Sequence, residues 1–256
     1  MRITIIGSGN VATHLAAAFK NAGHSIVQVY SRDIQHASLL AYHVRANAID
    51  TLGHIDPETD LFVIAVKDDA IESIAAELAK YNKLIVHTSG ATPLQALLNH
   101  TKNAGVFYPL QTFSKAKEVN FNTVPLCIEG ADDQIASQLN ELAYTITQNV
   151  YRITSAERKT LHLAAVFACN FPNYLYYISQ QLLADKQLPF DLLRPLILET
   201  AQKVQELLPA AVQTGPAVRN DEKTMTAHLQ LLQENPGLQE LYRTLSQGII
   251  KMDNSA

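Results

Sequence analysis

The sequence predicts an α/β architecture in two parts: a mostly parallel sheet wrapped by helices over residues 1–153, then an all-helical region over 154–256. Three observations predict it. Short β-rich runs alternate with helical stretches as far as residue 153, which is how a parallel sheet with crossover helices reads in sequence. A turn with two glycines joins the first strand to the first helix. After Thr154 the strand signals stop, and the rest divides into helices at 186–189, 208–216 and 235–237, each break marked by a proline.

The candidate strands lie at 3–6, 26–30, 47–51, 61–66, 84–87, 106–108, 125–129 and 150–153. Helix starts stand beside them. Asp69 with Glu72, and Thr92 with Gln95, have capping-box spacing, in which two side chains three residues apart satisfy each other's backbone N–H groups; Pro93 suits a first helical turn. Both helices would begin just past a strand's C-terminal end, the edge at which open α/β sheets hold ligands. Thr154 with Glu157 is a third box, so the helical region follows the last strand with no flexible linker.

A chain of 256 residues buries roughly 70–75% of its unfolded surface, and 47% hydrophobic residues are enough to do so without disulfides or metals. The net charge of −4 comes from 20 basic and 24 acidic residues with no Lys/Arg stripe, which argues against a nucleic-acid partner. Cys127 and Cys169 form no C-x-x-C or metal-ligand spacing, so a reducing compartment and no metal are expected. The apolar run at 3–6 breaks at Gly7, too short for a signal peptide or a membrane span. A cytoplasmic protein is the expectation.

Gly7-Ser8-Gly9-Asn10-Val11-Ala12 fits G-x-G-x-x-A between a strand and a helix, the context that gives this pattern its meaning as a dinucleotide-binding, Rossmann-type loop. Gly7 makes the tight turn, Gly9 lets backbone approach a pyrophosphate, and Ala12 lets helix pack close on strand. The helix N-terminus offers N–H groups and positive dipole to the anion. The second strand ends Tyr30-Ser31-Arg32, where NAD-selective proteins hold an acid for the ribose. The Arg32 guanidinium, with the Ser31 hydroxyl, suits the extra phosphate of NADP(H) instead. Asp33 as ribose ligand, with Arg32 an ordinary surface residue, is the alternative.

Gly7 to Ala12, Ser31-Arg32, the run Val63-Ile64-Ala65-Val66-Lys67-Asp68-Asp69 and His87-Thr88-Ser89-Gly90 resemble the superfamily of pyrroline-5-carboxylate reductase, ketopantoate reductase, the 3-hydroxyacid dehydrogenases and deazaflavin-dependent NADP oxidoreductases. Within it, Tyr108-Pro109-Leu110-Gln111-Thr112-Phe113, the stretch from His162 to Asn170, and Thr214-Gly215-Pro216-Ala217-Val218-Arg219 are similar to a branch of provisionally described NADP oxidoreductases with a C-terminal domain of unknown function. The resemblance implies that Val66, Lys67 and Asp68 border the cofactor, that Thr88, Ser89 and Gly90 lie near the nicotinamide, and that Tyr108, Pro109 and Gln111 edge the substrate space. Packing roles are the alternative: Asp69 as a cap, His87 as a buried and satisfied histidine, residues 108–113 as a turn.

Hydride transfer is cofactor chemistry, so the protein must add substrate placement and a proton donor or charge stabiliser. At 100° per residue Lys159, His162, Val166, Asn170 and Asn173 share one helix face, and the apolar flanks, Leu161, Leu163 to Val166 and Phe167, predict a buried stretch whose polar members need partners. His162, Lys159 and Asn170 are the catalytic candidates. The related hydroxyacid dehydrogenases place a Lys one turn before the Asn, whereas Val166 stands there in this chain. Pro172 should kink the helix. Arg219, on a Gly-Pro loop before a helix capped by Asn220 or Asp221, is a candidate clamp for a substrate anion. The expectation is an NADP-dependent reductase or dehydrogenase acting on a C=O or C=N group of a small metabolite. Its rival is a non-enzymatic NADP(H)-binding or sensor protein. By resemblance, a homodimer paired through the helical region is expected, with Leu175, Leu182, Leu196 and Leu245 among its apolar positions.

Overall fold

The computed structural model describes residues 1–253 and divides into two compact units, Met1–Asn173 and Tyr174–Ala256. The first unit holds an eight-stranded sheet: β1 Arg2–Ile6, β2 Ser25–Tyr30, β3 Asn47–Ile49, β4 Leu61–Ile64, β5 Leu84–His87, β6 Ala104–Pro109, β7 Leu126–Gly130 and β8 Val150–Arg152. Their order is β3-β2-β1-β4-β5-β6-β7-β8, parallel throughout except where β7 runs against β6. β4, β5 and β6 are buried along their whole length, the near-continuous apolar reading of strands covered on both faces.

Alternation of side chains divides the core in two. Ile3, Ile5, Val63 and Val86 face α1 Asn10–Asn21, α2 Ile34–Val44 and α5 Asp133–Tyr144. Ile6, Phe62, Ile64 and Ile85 face α3 Ile71–Leu78 and the short α4 Gln95–Leu98. The strand order reverses between β1 and β4, so the loops leaving their C-terminal ends open a crevice at this switch point.

All eight expected strands form, with no end shifted by more than two residues. Two of the three expected capping boxes do not. α3 is preceded by a 3-10 turn at Asp68–Ala70 and has no side-chain cap, so Asp69 does not cap it. At Thr92 the backbone N–H is taken by Ser89 Oγ and the carbonyl by Arg158, and α4 starts later. Tertiary partners there outbid the local pairing. At Thr154 both bonds of the box are present, and α6 Ser155–Ala165 follows.

α6 belongs to the first unit although it follows the last strand, because Arg158 on its first turn is buried and bonded to β7. The compact units therefore divide later than the change from strands to helices. α6 runs into a π-helical turn, Val166–Asn170, before α7 Phe171–Ala184. Pro172 has no N–H and its ring crowds the preceding turn, a cause of such loosening. The second unit carries the rest of α7, then α8 Arg194–Glu206, α9 Glu222–Leu231 and α10 Pro236–Asp253. Asp221 caps α9 by accepting from the Thr224 N–H.

Candidate functional site

Gly7 is required twice over. Its φ of 124° is one that L side chains rarely adopt, and a Cβ there would stand 2.2 Å from the Ala65 carbonyl oxygen at the end of β4. Gly9 differs: a Cβ would meet nothing within 4 Å, so nothing in the chain itself demands glycine there. The helix that follows has no side-chain cap and no acid in its first turn, so its leading N–H groups face open space with the dipole uncompensated. Ala12 is fully buried where α1 meets the sheet. The loop after β6 is strapped onto the same turn: Asn10 Nδ2 donates to the Phe113 carbonyl at 2.9 Å, and His14 Nε2 lies 2.9 Å from the Ser114 carbonyl.

Gly7 to Val11 line part of a cavity of about 1010 Å³ in the first unit, large enough for a dinucleotide. Ser8, Gly9, Asn10 and Val11 form its floor at the loop, and Ser31 and Arg32 its wall beyond β2. Val66, Lys67 and Asp68 enter from β4, and Thr88, Ser89 and Gly90 from β5. Neither the Arg32 guanidinium nor the Lys67 ammonium has a hydrogen bond or ion pair among the described residues, so both are available to an anion. Asp33 is committed elsewhere, capping α2 by accepting from the Gln35 N–H at 2.9 Å. The open glycine turn, the bare helix N-terminus and the uncommitted cations together fit a dinucleotide phosphate here.

Tyr108, Pro109, Gln111 and His162 line the same cavity. Tyr108 Oη and His162 Nδ1 are 3.1 Å apart, with the rings edge to face at 78°. Gly90 makes this possible, since a Cβ there would lie 2.7 Å from the imidazole and 2.9 Å from the Tyr108 ring. Burial, with Cys127 next, pushes the Tyr108 pKa up to about 12, so the hydroxyl keeps its proton at neutral pH. Cys127, opposite it on β7, is pushed to about 11 by burial. His87 sits fully buried at the end of β5. Burial first and the Arg158 charge second hold it down to about 3 against an opposing backbone hydrogen bond at Pro93, and Nδ1 accepts from the Ser89 N–H, so the ring is neutral at pH 7.

The helical stripe is brought only partly to this site. His162 lines the cavity, whereas Lys159 and Asn170 are exposed and do not. The expectation of a buried stretch is corrected, since Leu163 and Phe167 are 57% and 63% exposed. The π turn also breaks the 100° spacing that aligned Asn170 with His162. Arg219 lies in the second unit, where its charge, after the Thr224 hydrogen bonds, helps hold the Asp221 carboxyl below its ordinary range.

Sequence reasoning missed Arg158, Glu129 and Ser155, which form a hub beside the site. Arg158 Nη1 bonds Glu129 Oε2 at 2.5 Å and Nη2 the Thr92 carbonyl at 2.6 Å, while Ser155 Oγ donates to Glu129 and accepts from the Leu94 N–H. The available signal was an acid ending an apolar strand and an Arg four residues before His162.

Two domain families match the chain: "NADP oxidoreductase coenzyme F420-dependent" over residues 2–90 and "Domain of unknown function (DUF2520)" over 124–249. A Bacteroides fragilis protein, provisionally described as an NADP oxidoreductase, is 43% identical and superposes with a TM-score of 0.93 over 98% of both chains. A Thermotoga maritima protein is 23% identical, with a TM-score of 0.73 over 99% of this chain and 98% of that one. An imine reductase from Myxococcus stipitatus, solved in complex with NADP+, shares the fold at 14% identity, with a TM-score of 0.68 over 100% of this chain and 94% of its own. No curated protein matches the chain.

Proposed function

The chain belongs to the family of NADP oxidoreductases that join this glycine-loop domain to a DUF2520 region, and we propose that within it the protein reduces or oxidises a C=O or C=N group of a small metabolite. NADP(H) is the family's cofactor and, when bound, supplies or accepts the hydride. The glycine turn with α1, together with Ser31, Arg32 and Lys67, would hold its phosphates, by the fit described above.

The observation that carries the reading is the His162–Tyr108 pair in the same cavity. The Tyr108 hydroxyl can accept from Nδ1–H both in the protonated ring and in the neutral Nδ1–H tautomer left when Nε2 gives up its proton. Nδ1 is thus occupied in either charge state, and Nε2 remains to give a proton to the reacting oxygen or nitrogen, or to take one back. Tyr108, Pro109 and Gln111 bound the space beside it. Lys159 and Asn170 on the helical stripe, and Arg219, are the further candidates for substrate contact, Lys159 first should His162 prove structural. Substrate-dependent consumption of NADPH across a panel of small ketones, keto acids and cyclic imines tests the reading. NADPH binding without turnover of any of them favours the sensor alternative.

The same reading includes a homodimer formed through the second unit, supported by exposed Leu182, Leu196 and Leu245 there. It also places the chain in a reducing cytoplasm, supported by the free, exposed thiol of Cys169. No helix among the described residues is long and apolar enough to cross a membrane.

A further inference from the structure

We propose that Arg158 is a positioning residue for His162: with Glu129 and Ser155 it forms a half-buried clamp that fixes α6 over the Gly90 turn. The inference rests on the reading of His162 above and concerns how that side chain is held.

Arg158 and His162 are four residues apart, hence on one face of α6 and one turn apart. Arg158 is 1% exposed. Its two terminal nitrogens point to different elements, Nη1 to Glu129 at the end of β7 and Nη2 to the Thr92 carbonyl beyond Gly90. Ser155 completes the clamp. Its N–H and Oγ donate to the two Glu129 oxygens at 2.9 and 2.7 Å, and Oγ accepts from the Leu94 N–H at 2.9 Å. The first turn of α6 therefore grips the 88–94 loop at two backbone groups, and Ser89 Oγ holds the Ala91 and Thr92 N–H groups on the other side. Gly90 lies inside this bracket, beneath the imidazole.

A buried ion pair is weak evidence for stability, because well-packed apolar residues commonly serve as well. What a guanidinium adds is direction: its planar donors set distance and angle to two acceptors at once, and an ammonium at the same place satisfies them without that constraint. The imidazole and the Tyr108 ring occupy the space that a Cβ on residue 90 would take, so His162 packs directly over the Gly90 backbone. A small rotation of α6 would lengthen the 3.1 Å contact to Tyr108 and turn Nε2 away from the cavity.

The test compares Arg158→Lys and the double variant Glu129→Gln/Arg158→Met with wild type, the latter so that no lone carboxylate stays buried. The readouts are melting temperature, NADPH affinity by fluorescence, the 15N imidazole resonances of His162 (identified by their loss in His162→Ala), and kcat and KM where a substrate turns over. Folded variants should keep NADPH affinity within a few-fold while His162 loses the wild-type Nδ1 shift. The kcat should fall on the order of 10- to 100-fold with KM little changed, as misplacement of a reacting group costs. Unchanged His162 resonances in a folded variant overturn the proposal, as does failure of both variants to fold. Wild type that turns over no substrate defeats the enzymatic reading alone, and the resonances still decide the clamp.

Discussion

The two compact units treat apolar surface in opposite ways. In Met1–Asn173 strands and helices sequester it in two layers on either side of the sheet; in Tyr174–Ala256 Ala217 is the only buried hydrophobic among the described residues, while Leu196, Leu208 and Leu231 are 62%, 79% and 80% exposed. A sheet closes its own core because each strand buries its neighbours and the crossover helices cover both faces. A few helices with apolar residues distributed around them leave part of that surface exposed. On the function proposed above, cofactor and proton chemistry fall to the self-sufficient unit and assembly to the one that leaves apolar surface exposed.

The largest effect should come from the first unit. His162→Ala is expected to lower kcat by roughly 10²–10⁴-fold with NADPH affinity within a few-fold of wild type. Steady-state kinetics on any accepted substrate checks it, and full activity in the variant would pass the candidacy to Lys159 or Tyr108.

The second unit should respond in assembly and not in cofactor binding. Leu196→Asp puts a charge on its exposed face, and losing one anchor of about 2 kcal/mol raises the dimer dissociation constant about 30-fold. Light scattering reads the mass while NADPH affinity stays level. A wild-type monomer at micromolar concentration would break the comparison outright.

Smaller effects sort the cofactor loop itself. Gly9→Ala should leave melting unchanged yet weaken NADPH at least tenfold, about 1.4 kcal/mol, whereas Gly7→Ala should lower the melting temperature, because its Cβ meets backbone and its φ is strained. Arg32→Ala should weaken NADPH about tenfold while leaving NADH nearly unchanged. Equal loss for both cofactors would return Arg32 to the surface.

The mildest expected effect is on stability. His87 has a folded pKa of about 3 against an ordinary 6.5, so between those values the unfolded chain binds the extra proton. Its contribution is present above about pH 6.5 and is lost as pH falls towards 3. Melting temperature should therefore drop on acidification from pH 7 to 4.5, and less steeply in His87→Asn. Equal slopes would mean that other groups carry the acid sensitivity.

Every strand, the glycine turn and the Thr154 box could be read along the chain, because hydrophobic period, turn residues and capping spacing are local properties, each spanning only a few residues. Part of the cavity's lining could be read as well, since Gly7 to Val11, Ser31 and Arg32 follow directly from the strands that carry them. What tertiary structure alone decided is non-local. Thr92 and Asp69 looked like caps and are not, because Arg158 and Ser89 claim the Thr92 backbone and a 3-10 turn precedes α3. Pro172 was legible, but the π turn before it, which takes Asn170 out of phase with His162, depends on how the whole helix accommodates one missing N–H. The Glu129–Ser155–Arg158 hub joins residues 26 to 29 positions apart. No periodicity reports such a pairing, because burying a charge is tolerable only once the fold has brought its partner to it.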